Sequence, residues 1–166
     1  LFEFANKSLS SRVEYGRQAL SIDESRFDFS PSLWNPREGI KQVWFPGVHG
    51  DVGGGYNHSG LSDCALQWMV DEINSLHSGL PLTTADLGCS FSPDPLQDRH
   101  DEARKLIWQL RPHKPRQIAP DALLADAVLR RLEGRADYRP LALKGVLSCS
   151  YFFAGGTPPT ESLLPV

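Results

Sequence analysis

The residues best placed to do chemistry lie in one short run, Gly47-Val48-His49-Gly50-Asp51-Val52-Gly53-Gly54-Gly55-Tyr56. A histidine can serve as general base when it faces a nucleophile. Its tautomer is then set by a carboxylate or carbonyl on the other ring nitrogen. The glycines Gly47, Gly50, Gly53, Gly54 and Gly55 allow the backbone to approach a reacting centre without side-chain interference. The plainer alternative is that His49 caps a tight loop and the glycines only make the turn. A loop this conspicuous at the end of a strand favours the functional reading. Two rival chemistries are weaker. His49 and Asp51 with His58 make a poor metal set, and the glycine spacing matches neither G-x-G-x-x-G nor G-x-x-x-x-G-K-[ST]. No metal and no cofactor is expected.

An acyl-transfer histidine needs a nucleophile, often a serine in G-x-S-x-G. No such pentapeptide is present; the serines around Cys89 and Cys149 lack the flanking glycines. Cys64, Cys89 and Cys149 are isolated, read as buried thiols in a reducing compartment.

Elements must position this loop. Ile40 to Val48 is the clearest strand, its Val43-Trp44-Phe45 block suited to burial on both faces. The glycine cluster after it is expected to be irregular. A helix follows, capped by Ser59 or Ser62, with Leu61, Ala65, Leu66, Met69, Val70 and Ile73 at helical spacing and Ser78-Gly79 as its stop. Upstream, residues 8–24 read as helix-like. Ser25 to Gly39 reads as an irregular segment anchored by Phe27, Phe29, Leu33 and Trp34. Downstream, 98–110 reads as a short helix and Pro120 to Glu133 as a longer one with Leu123, Leu124, Ala127, Val128 and Leu132 as its stripe, ended by Gly134. Tyr138 to Leu143 looks extended. Residues 1–145 are read as the C-terminal portion of an α/β-hydrolase-type domain, a mostly parallel sheet flanked by helices. Residues 146–166 form a tail without a readable period.

Composition agrees with a globular domain: 166 residues, 40% hydrophobic and 22% charged, with a net charge of −3. That balance carries no footprint for nucleic acid or anionic lipid. No apolar run reaches membrane-spanning length, and no signal peptide is visible, which reads as cytoplasmic. The chain opens on Leu1, read as a processed chain, an excised piece or a partial reading frame.

Four segments carry a resemblance: Gln18 to Glu24, Phe29 to Trp34, Gln42 to Tyr56 and Leu61 to Met69. In this order they resemble a family, long described as a domain of unknown function, that includes the catalytic domain of type VI secretion phospholipase effectors. The resemblance is strongest over residues 15–75. It implies an α/β-hydrolase fold and a Ser-Asp-His triad whose histidine is His49. It places the serine and the acid upstream of this chain. Asp51 is then a loop-shaping carboxylate that accepts N–H bonds from the glycines, and Asp23 is structural, pairing with Arg26 or capping a turn. The implied substrate is an ester, specifically a phospholipid acyl ester. A secretion apparatus or an immunity protein is the implied partner, and type VI secretion the implied export route. Two alternatives remain open: a non-catalytic remnant of the fold, or a site completed by a second polypeptide. His58, His77, His100 and His113 are assigned nothing.

Overall fold

The computed structural model describes residues 7–76, 81–88, 90–102 and 106–146. Its centre is a three-stranded sheet in the order β1-β2-β3. Strands β1 (Gly16–Ser21), β2 (Ile40–Phe45) and β3 (Leu123–Leu124) all run parallel. Helices α1 (His49–Gly53), α2 (Gly60–Leu76), α3 (Leu106–Gln109) and α4 (Asp126–Gly134) complete it. This is an α/β fold.

Strand β2 is the organising element. Val43, Trp44 and Phe45 are essentially inaccessible to solvent, as a strand with neighbours on both edges and packing on both faces must be. Trp68 of α2 packs on Phe45, ring centroids 5.5 Å apart. Val128 and Leu132 of α4 join Leu20, Ile22 and Leu124 in the same buried cluster. Burying side chains of this size contributes about 1.5–3 kcal/mol each. Polar ties fix the other end of the sheet. Glu72 of α2 accepts from Arg17 of β1 at 2.6 Å and from Lys41 of β2 at 2.7 Å. Burial raises the Glu72 pKa, but Lys41 and Arg17 outweigh it and hold the carboxyl below its usual range.

Several sequence expectations are corrected. The stretch 8–24 holds β1 rather than a helix: Gly16 to Ser21 pair residue for residue with Ile40 to Phe45, and sheet pairing overrides local periodicity. The expected helix over Pro120 to Glu133 begins only at Asp126. Leu123 and Leu124 instead form β3 against Val43 and Trp44. Of the expected helix over 98–110, the described residues show Leu106–Gln109, and Leu106, Ile107 and Leu110 point to solvent rather than into a core. Leu141–Leu143 is a 3-10 turn, not an extended segment. In the anchoring loop, Phe27 and Leu33 are exposed while Phe29 and Trp34 are half-buried. The expected stop at Ser78-Gly79 and the tail beyond Val146 lie outside the described residues.

Candidate active site

The chain passes from β2 through Pro46 and Gly47 into a single helical turn, α1, that carries His49 at its start. The glycine cluster is therefore partly regular, which corrects the expectation of an irregular loop. Asp51, at the third position of that turn, folds back so that its Oδ2 accepts the Val48 N–H at 3.0 Å. This is the carboxylate half of a capping box, and it satisfies a donor that a helix start leaves free. The turn needs Gly47. Its φ is +102°, and a Cβ there would sit 2.4 Å from the Asp51 Cβ. Gly50 lies against the Tyr56 ring, where a Cβ would stand 2.7 Å from Cε2. Gly53, Gly54 and Gly55 face open space.

Two different glycine requirements follow, and they separate by mutation. Gly54, at φ +86° with nothing near its missing side chain, carries conformational cost alone. Gly54→Val should lose about 1–3 kcal/mol, because the backbone there adopts an extended positive-φ conformation that essentially only glycine accepts. Gly47→Ala adds a collision with the Asp51 side chain, starting at its Cβ, to the same cost and should lose clearly more. Denaturant midpoints of the two variants check the order; equal losses would show that the Asp51 contact does not matter.

His49 is exposed, and its ring leans on Phe29 with centroids 5.1 Å apart. Among the described residues its imidazole makes no hydrogen bond. Its backbone N–H donates to Glu24 Oε2 at 3.2 Å. Glu24 is the residue sequence reading missed. It lies just past the end of β1, almost fully buried, and accepts from the Arg26 N–H at 2.9 Å and from the Arg26 guanidinium at 2.9 and 2.6 Å. Burial pushes the Glu24 pKa up, yet the hydrogen bonds from Arg26 and His49 leave it lowered overall. Arg26 therefore pairs with Glu24, not with Asp23 as expected. Asp23 Oδ2 instead accepts from the Gly47 N–H at 2.6 Å and from the Tyr138 hydroxyl at 3.0 Å. Burial raises its pKa against the lowering pull of the Gly47 N–H.

Asp51 does accept backbone N–H bonds, though not from the glycines. Besides Val48 its Oδ2 takes the His100 N–H at 3.1 Å, and its Oδ1 lies 2.6 Å from His100 Nδ1. His100 stacks on Tyr56 at 3.6 Å between centroids. Burial foremost, then a hydrogen bond to Glu102, pushes the Tyr56 hydroxyl up to about 12. The buried Arg131 of α4 holds the strip that delivers His100 by donating to the carbonyls of Pro95 and Gln97, both at 2.6 Å. A signal for this was present only as an unassigned histidine; its carboxylate partner is 49 residues away.

His49 and Gly53 to Tyr56 face a cleft of ≈ 930 Å³ that also reaches Phe29 and Arg116. Among the described residues no group of three or more His, Cys, Asp or Glu side chains could hold a metal. Cys64 is no nucleophile in waiting: burial foremost pushes its thiol up to about 11. Cys89 and Cys149 lie outside the described residues.

The N-terminal half of this geometry lies within a stretch that a family comparison picks out, while His100, Arg116, Arg131 and Tyr138 lie beyond it. Residues 1–72 match the type VI secretion system phospholipase effector Tle1-like catalytic domain. The Tle1-like match runs from the start of the chain through β1, β2 and α1 into α2, and so includes Asp23, Glu24, His49, Asp51 and all five loop glycines. It is the family that the sequence resembles. No curated protein and no solved structure matches the chain. Among the described residues no helix is long and apolar enough to cross a membrane.

Proposed function

We propose that this chain supplies the histidine end of a serine ester hydrolase acting on phospholipid acyl esters. The observation that carries the reading is the placement of His49. It follows the carboxyl end of a central parallel strand, its ring is exposed and without a hydrogen bond among the described residues, and it opens on the large cleft. Open α/β sheets place their sites at that edge.

In this reading His49 takes the proton from a serine that precedes Leu1 and later returns it to the leaving alcohol. Backbone N–H groups beside that serine hold the oxyanion. Phe29 and the Glu24 carboxylate position the base, one through its ring and one through its backbone. The phospholipid substrate and the type VI route rest on the Tle1-like match alone, and an immunity partner on the family resemblance alone, because a fold does not fix a substrate.

The triad acid has a second candidate besides an upstream residue. Asp23 lies just beyond β1, the strand beside β2, at the same edge of the sheet as His49. It precedes His49 in the chain, as the order Ser, acid, His requires. Asp23→Asn in the full-length protein keeps the side-chain shape. A loss of turnover on the order of 10²-fold or more, with folding retained, assigns the acid to Asp23; near-normal turnover returns it upstream.

A fluorophosphonate probe tests the reading as a whole. The full-length protein should label at one serine, and His49→Ala should suppress that labelling. A folded protein that fails to label, or labels equally without His49, would leave the non-catalytic alternative standing.

A further inference from the structure

The His49 cleft contains a guanidinium to which no described carboxylate is directly paired. Arg116 is 8% exposed and lines the cleft beside Phe29. Its Nη2 donates to the Phe29 carbonyl at 2.5 Å, while its Nε is buried without a partner among the described residues. The other cations there are matched. Arg17 is paired with Glu72 at 2.6 Å. Arg26, stacked on the Phe29 ring with its guanidinium carbon 3.9 Å from the centroid, uses both oxygens of Glu24. Glu24 is thus one carboxylate facing two arginines. The acids of the cleft are also engaged. Asp28 pairs with Arg111 at 3.3 Å, and Asp63 accepts from Ser59 and from the Ser92 N–H, both at 2.9 Å.

A guanidinium taken out of water and left half-bonded attracts an anion strongly, and its planar fork of donors matches a phosphate oxygen pair. We propose that Arg116 is the phosphate-recognition residue of the His49 cleft, and that its ligand is the phosphodiester of a phospholipid headgroup. The lipid assignment rests on the ester-hydrolase reading; the anion site itself rests on Arg116. Phe29 joins the two parts of the cleft, touching His49 with its ring and Arg116 with its carbonyl. A lipid held by its phosphate at Arg116 therefore has its acyl ester directed along the same wall toward the base.

Binding without turnover tests this. The full-length protein is titrated calorimetrically with the dihexyl-ether analogue of phosphatidylglycerol, with dihexyl-ether glycerol and with inorganic phosphate, none of which carries an ester to cleave. The phosphate-bearing lipid should bind about 10- to 100-fold tighter than the neutral one, the range for a charged hydrogen-bonded contact. Arg116→Gln should erase that preference, and Arg116→Lys, which keeps the charge but not the fork, should fall between. Circular dichroism confirms that each variant is folded; if Arg116→Gln is not, Arg116→Lys carries the comparison. Equal binding of the two lipids by the wild type, or an undiminished preference in the folded variants, overturns the proposal. Inorganic phosphate binding as tightly as the lipid, and lost in the same variants, overturns the headgroup assignment. None of these results depends on ester cleavage, so a failure of the hydrolase reading shows separately, in the probe labelling.

Discussion

His49→Ala in the full-length protein is expected to lower phospholipid ester turnover by about 10²- to 10⁴-fold, the range that a positioned general base contributes. The size of the effect comes from what the side chain does not do in the fold. It is exposed, and among the described residues its imidazole makes no hydrogen bond and its ring contact is with Phe29, tilted at 53°. Its structural tie to Glu24 runs through the backbone N–H, which alanine keeps. The thermal midpoint should therefore barely move, as surface substitutions stay within about 0.5 kcal/mol. Turnover and melting curves on the same preparation check both halves. A stable variant with wild-type turnover would remove His49 from the reaction.

The opposite pattern is expected at Glu24. Glu24→Ala strands the Arg26 guanidinium, whose side chain is 7% exposed against 2% for Glu24. Breaking a buried pair by removing one partner costs about 3–5 kcal/mol. It also releases the His49 N–H, so α1 should lose its register and turnover should fall together with stability. The pH dependence has a defined sign. The Glu24 pKa is lowered in the folded state. Its stabilisation is therefore complete above the unfolded carboxyl value of about 4.3 and is lost as pH falls through the lower folded value. Urea midpoints of the wild type should drop on acidification below about pH 4, and those of Glu24→Gln should drop less over the same interval. Parallel profiles would mean that the Glu24–Arg26 pair does not contribute to acid sensitivity.

Strand β2 and the long helix could be read from sequence because each carries a local signature, and the glycine cluster could be read as a special segment but not as the helical turn it contains. Val43-Trp44-Phe45 is a run that only a doubly covered strand accommodates, and the Leu61 to Val70 spacing is helical on its face. Strand β1 could not be read this way. Gly16-Arg17-Gln18-Ala19-Leu20-Ser21 has little β character of its own and becomes a strand because Ile40 to Phe45 offers it a ladder. Two-residue β3 is the same case with a partner 80 positions away. The site divides likewise. His49 and its glycines are contiguous and were legible. The Glu24–Arg26 pair was masked by a neighbouring aspartate that looked the more natural partner. His100 and Arg116 reach the site from distant turns, and sequence spacing says nothing about such approaches.

The bond from Tyr138 to Asp23 spans 115 residues. Asp23 also holds the Gly47 N–H, at the turn that sets up α1 and His49. During synthesis the N-terminal pieces emerge first, at about 5–20 residues per second. Asp23, Gly47 and His49 are thus made several seconds before the phenol that completes their network. Until Tyr138 arrives, the carboxylate below the turn lacks one of its two donors, and for most of that interval β2 lacks its β3 neighbour as well. The His49 edge of the sheet is accordingly among the last parts of the described chain to be finished, so a ribosome-bound chain stopped short of Tyr138 holds every residue of the glycine turn without the phenol that completes the hydrogen bonding of Asp23 beneath it.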